Sequence, residues 1–236
     1  MTPQRIDRSV LKELDIFATM ADEDLDAVLQ SAHTRRLATG VSVFNQGDPA
    51  AEFFALLHGR LKVTQTAPDG QQILVRHVHP GDIYGIAKAI RRSDYPGTAT
   101  AVVESLTMVW PINQWDFLVA RCPALAVNAL ATVGARLQEA HTRIRELGTE
   151  GVERRVAHAL LRLVHQAGRK TDEGILIDFP ITRLDIAEMT GATLHTVSRL
   201  LSAWEGRGLV SSSRKKIVVC NPHGLVALAD GRAEQD

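Results

Sequence analysis

The sequence predicts an α+β chain: a β-rich N-terminal half, one long amphipathic helix and a mainly helical C-terminal part. Three observations carry this. Glycines cut residues 35–110 into short apolar runs. A strict four-three apolar spacing follows, from Ala126 to Leu147. Beyond it, two short amphipathic segments flank Gly191, and a hairpin with a basic tip comes after them.

The 236 residues, 45% hydrophobic and 23% charged, suffice for two compact domains with real cores. No uninterrupted apolar run approaches the ~20 residues of a membrane span. Met1–Leu14 mixes Arg5, Asp7, Arg8, Lys12 and Glu13 with scattered apolar residues, so no hydrophobic signal core is present. The expectation is a cytoplasmic protein with no membrane partner. Cys122 and Cys220 are the only cysteines and have no metal-ligand spacing, which fits a reducing compartment. The net charge of zero argues against a coat for nucleic acid, although a local basic surface can still serve a specific reader. No nucleophile–base set, phosphate loop or metal-ligand cluster stands out, so an enzyme is not expected.

In the β-rich half, Gly40, Gly47, Gly59, Gly70, Gly81, Gly85 and Gly97 bound the runs Phe53–Leu57, Leu61–Thr64 and Ile73–Val75. Asp69-Gly70 signals a tight hairpin between the last two. Many short strands at even spacing predict a small barrel, roll or sandwich, preceded by a helix over Asp22–Ala32.

Pro123 suits the first turn of the long helix. Ala126, Leu130, Val133, Leu137, Ala140, Ile144 and Leu147 then form an a/d seam. Arg136, Gln138, Glu139, Arg143, Arg145 and Glu146 lie outside it. A seam this narrow favours parallel pairing with a second copy over packing on its own domain. The expected homodimer contacts are Leu130, Val133, Leu137, Ala140, Ile144 and Leu147. Gly148 and Gly151 are expected to end the helix and provide a hinge. A further amphipathic helix from Val152 to Val164 and a short strand Ile175–Ile177 follow.

The most informative stretch is Ile181–Leu201. Thr182 and Asp185 resemble a capping box that starts a short helix. Leu184, Ile186, Ala187 and Met189 are expected on its buried side. Gly191 stands at a sharp turn that favours positive φ. Thr193 caps a second helix whose Val197, Leu200, Leu201 and Trp204 face the core. His195, Thr196, Ser198 and Arg199 are left on the other face, near its N-terminal end. A recognition helix presents such donors to base edges in the major groove of double-stranded DNA. Arg199 suits the fork to guanine O6 and N7. Val210–Val219 reads as a β-hairpin wing whose Arg214, Lys215 and Lys216 meet phosphates. Thr182 and Thr193, at the helix starts, are further phosphate candidates.

Taken together, Phe44–Ala50, Phe53–Gly59, Asp69-Gly70, Pro80–Gly85, the long helix and the winged helix-turn-helix resemble the family of the cyclic-AMP receptor protein and the fumarate–nitrate reduction regulator, CRP/FNR. The likeness covers nearly the whole chain. It implies a double-stranded β-roll sensor domain over residues 1–122, a dimerisation helix over 123–148 and a winged helix-turn-helix DNA-binding domain over 149–236. It also implies a dimeric regulator, an activator that recruits RNA polymerase from a palindromic operator with TTG-like half-sites. An effector bound between roll and long helix would control it.

Departures from the family pattern narrow this. The cyclic-AMP branch holds the cyclic phosphate with a Glu and an Arg-Ser pair, where this chain has Ile86 and Gly97-Thr98, so cyclic AMP is not expected. The cysteine cluster of the iron–sulfur branch is missing, and two cysteines cannot supply four thiolates. Tyr95–Val103 is similar to the branch that controls denitrification genes in response to nitric oxide, which implies haem. Axial-ligand candidates are His33, His58, His77 and His79, with His141, His158 and His165 further off. Many relatives carry Glu where this chain has His195, so the base beside the guanine is expected to break the family rule. An abundance-controlled regulator without effector, or a sensor signalling by protein contact, are the alternatives.

Overall fold

A computed structural model describes residues 8–12, 17 and 20–232, which fall into two compact units. One comprises residues up to 71 together with 75–138; the other comprises 72–74 and 139 onward. The charged stretch Met1–Leu14, on which the expectation against export rests, lies largely outside the described residues.

The first unit begins with α1 (Arg8–Lys12) and α2 (Asp22–Gln30). Eight strands follow: β1 (His33–Leu37), β2 (Ser42–Phe44), β3 (Glu52–His58), β4 (Leu61–Thr66), β5 (Gln72–Val78), β6 (Ile83–Tyr84), β7 (Thr98–Ala101) and β8 (Ser105–Pro111). A 3-10 turn, Ala87–Ile90, sits before β7. Helix α3 (Gln114–Arg121) and the first part of α4 (Pro123–Thr149) complete the unit. The strands form two four-stranded sheets, ordered β1-β8-β3-β6 and β2-β7-β4-β5, as the expected roll requires.

Strand periodicity explains the unbroken apolar run in β3. Phe53 and Ala55 point one way, into a core with Leu25, Val28, Met108, Trp110, Trp115 and Leu125. Phe54 and Leu56 point the other way, between the sheets, with Phe44, Leu61, Tyr84, Tyr95 and Val109. A strand buried on both faces reads as continuous rather than alternating. Phe53 stacks on Trp110 at 5.2 Å, and Trp110 Nε1 donates to the Val28 carbonyl at 2.9 Å, fastening α2 to the sheet. Inside the roll the Tyr84 hydroxyl bonds Thr107 Oγ1 at 2.8 Å, and Thr107 Oγ1 donates to the Ala55 carbonyl.

Asp69-Gly70 does not make the tight hairpin expected. The link between β4 and β5 is residues 67–71, closed by Ala67 N–H to the Gln71 carbonyl, with Gly70 at φ +84°. The Asp69 carboxylate accepts the Gln71 N–H, which stabilises this wider loop.

The second unit holds the end of α4, then α5 (Val152–Ala167), β9 (Gly168–Thr171), β10 (Gly174–Ile177), α6 (Arg183–Thr190), α7 (Leu194–Gly206), β11 (Val210–Ser213), β12 (Lys216–Val219) and α8 (Pro222–Ala229). Its sheet runs β11-β12-β10-β9. Helix α5 buries Val156, Ala159, Leu160 and Leu163 and packs on α8 and α6.

The long helix ends between Gly148 and Gly151, as expected, one residue beyond the expected bound at Gly148. Gly148 remains helical; α4 runs to Thr149, and Gly151 caps α5. Two contacts hold the last turn. Glu146, almost fully buried, takes the Arg162 guanidinium at 2.5 and 3.1 Å, and Leu147 packs where a Cβ on Gly191 would stand. A helical glycine costs about 1 kcal/mol relative to alanine, less than such anchoring returns. Among the described residues no single helix is long and apolar enough to cross a membrane.

Candidate functional site

The α6–turn–α7 segment forms as its caps predict. Thr182 Oγ1 accepts the Asp185 N–H at 3.1 Å, while the Asp185 carboxylate accepts the Thr182 N–H at 2.9 Å, a reciprocal capping box. Gly191 takes the left-handed conformation, φ +62°, that ends α6 and reverses the chain. Any side chain there is strained, and its Cβ would stand 3.2 Å from Leu147. Thr193 Oγ1 accepts the Thr196 N–H at 3.1 Å and starts α7.

On α7, Val197, Leu201 and Trp204 are fully buried, and Trp204 Nε1 donates to Glu153 at 3.1 Å. At about 100° per residue, His195, Thr196, Ser198 and Arg199 fall on the opposite side. His195 and Arg199 are exposed, and Thr196 and Ser198 half-buried. The four expected base readers therefore share one outward face. Leu200 is only half-buried.

The α6 prediction needs one correction. Leu184 is 50% exposed rather than buried, and Met189 is only half-buried. Ile186, Ala187 and Thr190 face the core. Leu184 stands two residues before Ile186, which on a 3.6-residue turn is the far side of the helix.

Strands β11 and β12 pair from Val210↔Val219 to Ser213↔Lys216, leaving Arg214-Lys215 as a two-residue tip. Arg214, Lys215 and Lys216 are all exposed. Glu205, near the end of α7, accepts the Ser212 N–H at 2.8 Å and the Ser212 hydroxyl at 2.5 Å. Arg183, at the start of α6, donates to Ser212 Oγ at 2.9 Å. This three-residue clamp fixes the wing to both helices. Sequence reading missed it because its members are 7 and 29 residues apart.

Along α4, Leu130 (73%), Leu137 (53%), Ile144 (66%) and Leu147 (54%) are exposed despite being apolar, and Ala140 is exposed with them. Val133 differs: it is half-buried and packs against the core around Trp110.

The first unit contains a cavity of about 110 Å³. Phe44, Val63, Tyr84, Gly85, Ile86, Ala87, Ile90, Tyr95, Pro96, Gly97 and Val133 line it, together with Arg76 and Arg136. Phe44 and Tyr95 stack with centroids 3.8 Å apart. Gly85, at φ +68°, leaves room for the Phe54 ring, which a Cβ would approach to 2.8 Å. Arg76 pairs with Asp82 at 3.2 Å, and both Arg76 and Arg136 donate to the Ile83 carbonyl, at 3.4 and 2.7 Å. Burial holds the Tyr84 phenol well above its ordinary pKa, so it is a neutral donor.

Neither arginine was expected here. Arg76 had a legible signal, since Leu74, Arg76 and Val78 share the inward face of β5 and a charge there is unusual. Arg136 had none; it reads as a solvated seam flank.

The haem-ligand candidates stand elsewhere. His33 and His58 are exposed at strand ends, His77 is buried on β5, and His79 follows β5. Burial, aided by the Arg60 guanidinium, holds the His79 imidazole below its ordinary pKa. None of these imidazoles lines the cavity. Among the described residues no group of three His, Cys, Asp or Glu could hold a metal ion. A haem does not fit the cavity as built.

Comparison with known proteins agrees with this architecture. The Crp-like helix-turn-helix domain family matches residues 154–228, and the cyclic nucleotide-binding domain family matches residues 34–122. The global nitrogen regulator of Synechocystis sp. is 30% identical over 188 residues, covering 78% of this chain and 83% of that protein. The cyclic AMP receptor protein of Thermus thermophilus is 28% identical over 200 residues, covering 85% and 89%. Among solved structures, FixK2 from Bradyrhizobium japonicum superposes with a TM-score of 0.72 at 22% identity, covering 84% of this chain and 96% of its own. A CooA mutant from Carboxydothermus hydrogenoformans gives 0.74 at 20%, covering 96% and 98%. At those identities the two structures speak for the fold alone. With a cyclic nucleotide-binding domain, a Crp-like helix-turn-helix and a 30%-identical relative, the chain belongs to the CRP/FNR family of DNA-binding transcription regulators, which are not enzymes.

Proposed function

We propose that this regulator acts in the cytoplasm as a homodimer on a palindromic operator, with a small effector in the roll cavity controlling its affinity for DNA. The observation that carries the DNA reading is the single outward face of α7 formed by His195, Thr196, Ser198 and Arg199. Arg199 reads the guanine of a TTG-like half-site through its fork. Thr182, Thr193, Arg214, Lys215 and Lys216 contact phosphates and set the register. Two-fold symmetry places two such helices about 34 Å apart, one DNA turn. The exposed seam Leu130, Leu137, Ala140, Ile144 and Leu147 supports the dimer, with Val133 shared between the seam and its own core. Bound DNA then recruits RNA polymerase, and the protein acts as an activator.

His195 makes the operator distinctive. A glutamate there accepts a hydrogen bond from cytosine N4, whereas neutral histidine donates or accepts and charged histidine only donates. Binding assays over half-site variants test this. His195→Glu shifts preference at the base pair beside the guanine toward the family operator, while the guanine itself stays required. An unchanged preference would sink this role for His195.

The likeness of Tyr95–Val103 to the nitric-oxide branch supports a second reading: control of nitrogen-oxide, denitrification or low-oxygen genes through haem. The cavity walls, which carry no imidazole, speak against it. The expected spectrum of anaerobically purified, haem-reconstituted protein therefore shows no stoichiometric Soret band that moves with nitric oxide. Such a band would restore the haem reading.

A further inference from the structure

We infer that the natural ligand of the roll cavity is a small apolar carboxylate, held by Arg76 and Arg136, rather than a cyclic nucleotide. The inference deepens the effector reading above and rests on it.

Charge comes first. Among the residues lining the cavity two are guanidiniums and none is a carboxylate. Both guanidiniums donate to one atom, the Ile83 carbonyl oxygen, at 3.4 and 2.7 Å. Two like charges converging on one neutral acceptor leave the cavity wall positive, and Asp82 offsets only the Arg76 side, so an anion between the two guanidiniums is favoured. Asp82 meets Arg76 at 3.2 Å but does not line the cavity. Arginine stays charged at any relevant pH, and its planar fork matches a carboxylate.

Shape and size come next. The remaining wall is apolar or aromatic: the Phe44–Tyr95 stack, Val63, Ile86, Ala87 and Ile90. The volume is about 110 Å³. An apolar protein cavity of about 150 Å³ takes up benzene, so within its walls this smaller, partly open one takes at most a single ring or a short alkyl chain. Ile86 and Gly97 present no side-chain polar group to a sugar hydroxyl or a cyclic phosphate.

Calorimetry on the full-length protein tests the assignment. Benzoate, cyclohexanecarboxylate and hexanoate are the probes, each paired with its carboxamide, with cyclic AMP alongside. At least one acid binds, about tenfold or more tightly than its amide, because a charge-assisted fork is lost in the amide. Arg136→Gln and Arg76→Gln each remove the preference for acid over amide, and Arg136→Lys restores it in part. Ile90→Trp, which fills the cavity and keeps both arginines, weakens acid and amide alike, so the result does not hang on one variant's folding. Equal binding of acid and amide, or no binding by any of the three acids, overturns the assignment. Operator affinity measured with each ligand separates the two ideas. An acid that binds without changing operator affinity keeps the ligand class and removes the effector role. Cyclic AMP that binds and raises operator affinity removes the ligand class and keeps the effector role.

Discussion

Arg199→Ala abolishes specific operator binding and leaves the fold intact. Each bidentate arginine–guanine pair contributes about 1–3 kcal/mol of discrimination, and a palindrome uses two, so the loss is about 2–6 kcal/mol per dimer. That is roughly thirtyfold to twenty-five-thousandfold in affinity for the operator. Arg199 is exposed and the buried face of α7 is untouched, so thermal unfolding should be unchanged. Non-specific binding to DNA persists, because it rests on phosphate contacts made elsewhere. Arg199→Lys keeps the charge but not the fork, and should recover little of the specificity. Mobility-shift titrations on operator and scrambled duplexes measure both quantities. An operator affinity unchanged in Arg199→Ala would remove Arg199 as the guanine reader.

The second large effect concerns the seam. The double substitution Leu137→Asp, Ile144→Asp should yield folded monomers that no longer hold the operator. Both side chains are more than half exposed within one chain, so neither supports that chain's own core. Burying the exposed part of four such side chains in a dimer contributes about 4–6 kcal/mol, and opposed aspartates add repulsion. The dimer constant then falls by a thousandfold or more. Sedimentation velocity at micromolar concentration reads the change directly, with circular dichroism confirming helix content. A variant that still sediments as a dimer would place the interface elsewhere.

How much of this was legible depended on how local the determining contacts are. Thr182 with Asp185, Gly191 and Thr193 act over three or four residues, so their caps and the positive φ could be read directly. The strands around Phe53 and Leu61 were equally plain, because short apolar runs bounded by glycines mark them in the sequence. The failures share one physical cause. Leu184 faces outward because the eight-residue helix α6 has one narrow buried side, filled by Ile186, Ala187 and Thr190. Arg136 reaches the cavity through the Ile83 carbonyl, 53 residues away. The outward face of α7 was therefore open to inspection, whereas the cavity of the roll took shape only once distant strands were brought together.

The wing tip has a consequence for how the regulator responds to its medium. Each tip offers Arg214, Lys215 and Lys216 to the solvent, and a dimer doubles them. If all six displace condensed counterions from DNA, log affinity falls with log ionic strength with a slope of about −5. A fourfold rise in salt then weakens binding by roughly a thousandfold. The formal net charge is zero with these three cations included, so the rest of the chain sums to −3 and adds no long-range attraction for DNA. Operator affinity is thus coupled to ionic strength, and a rise in salt alone would loosen the protein from DNA whatever occupies the cavity.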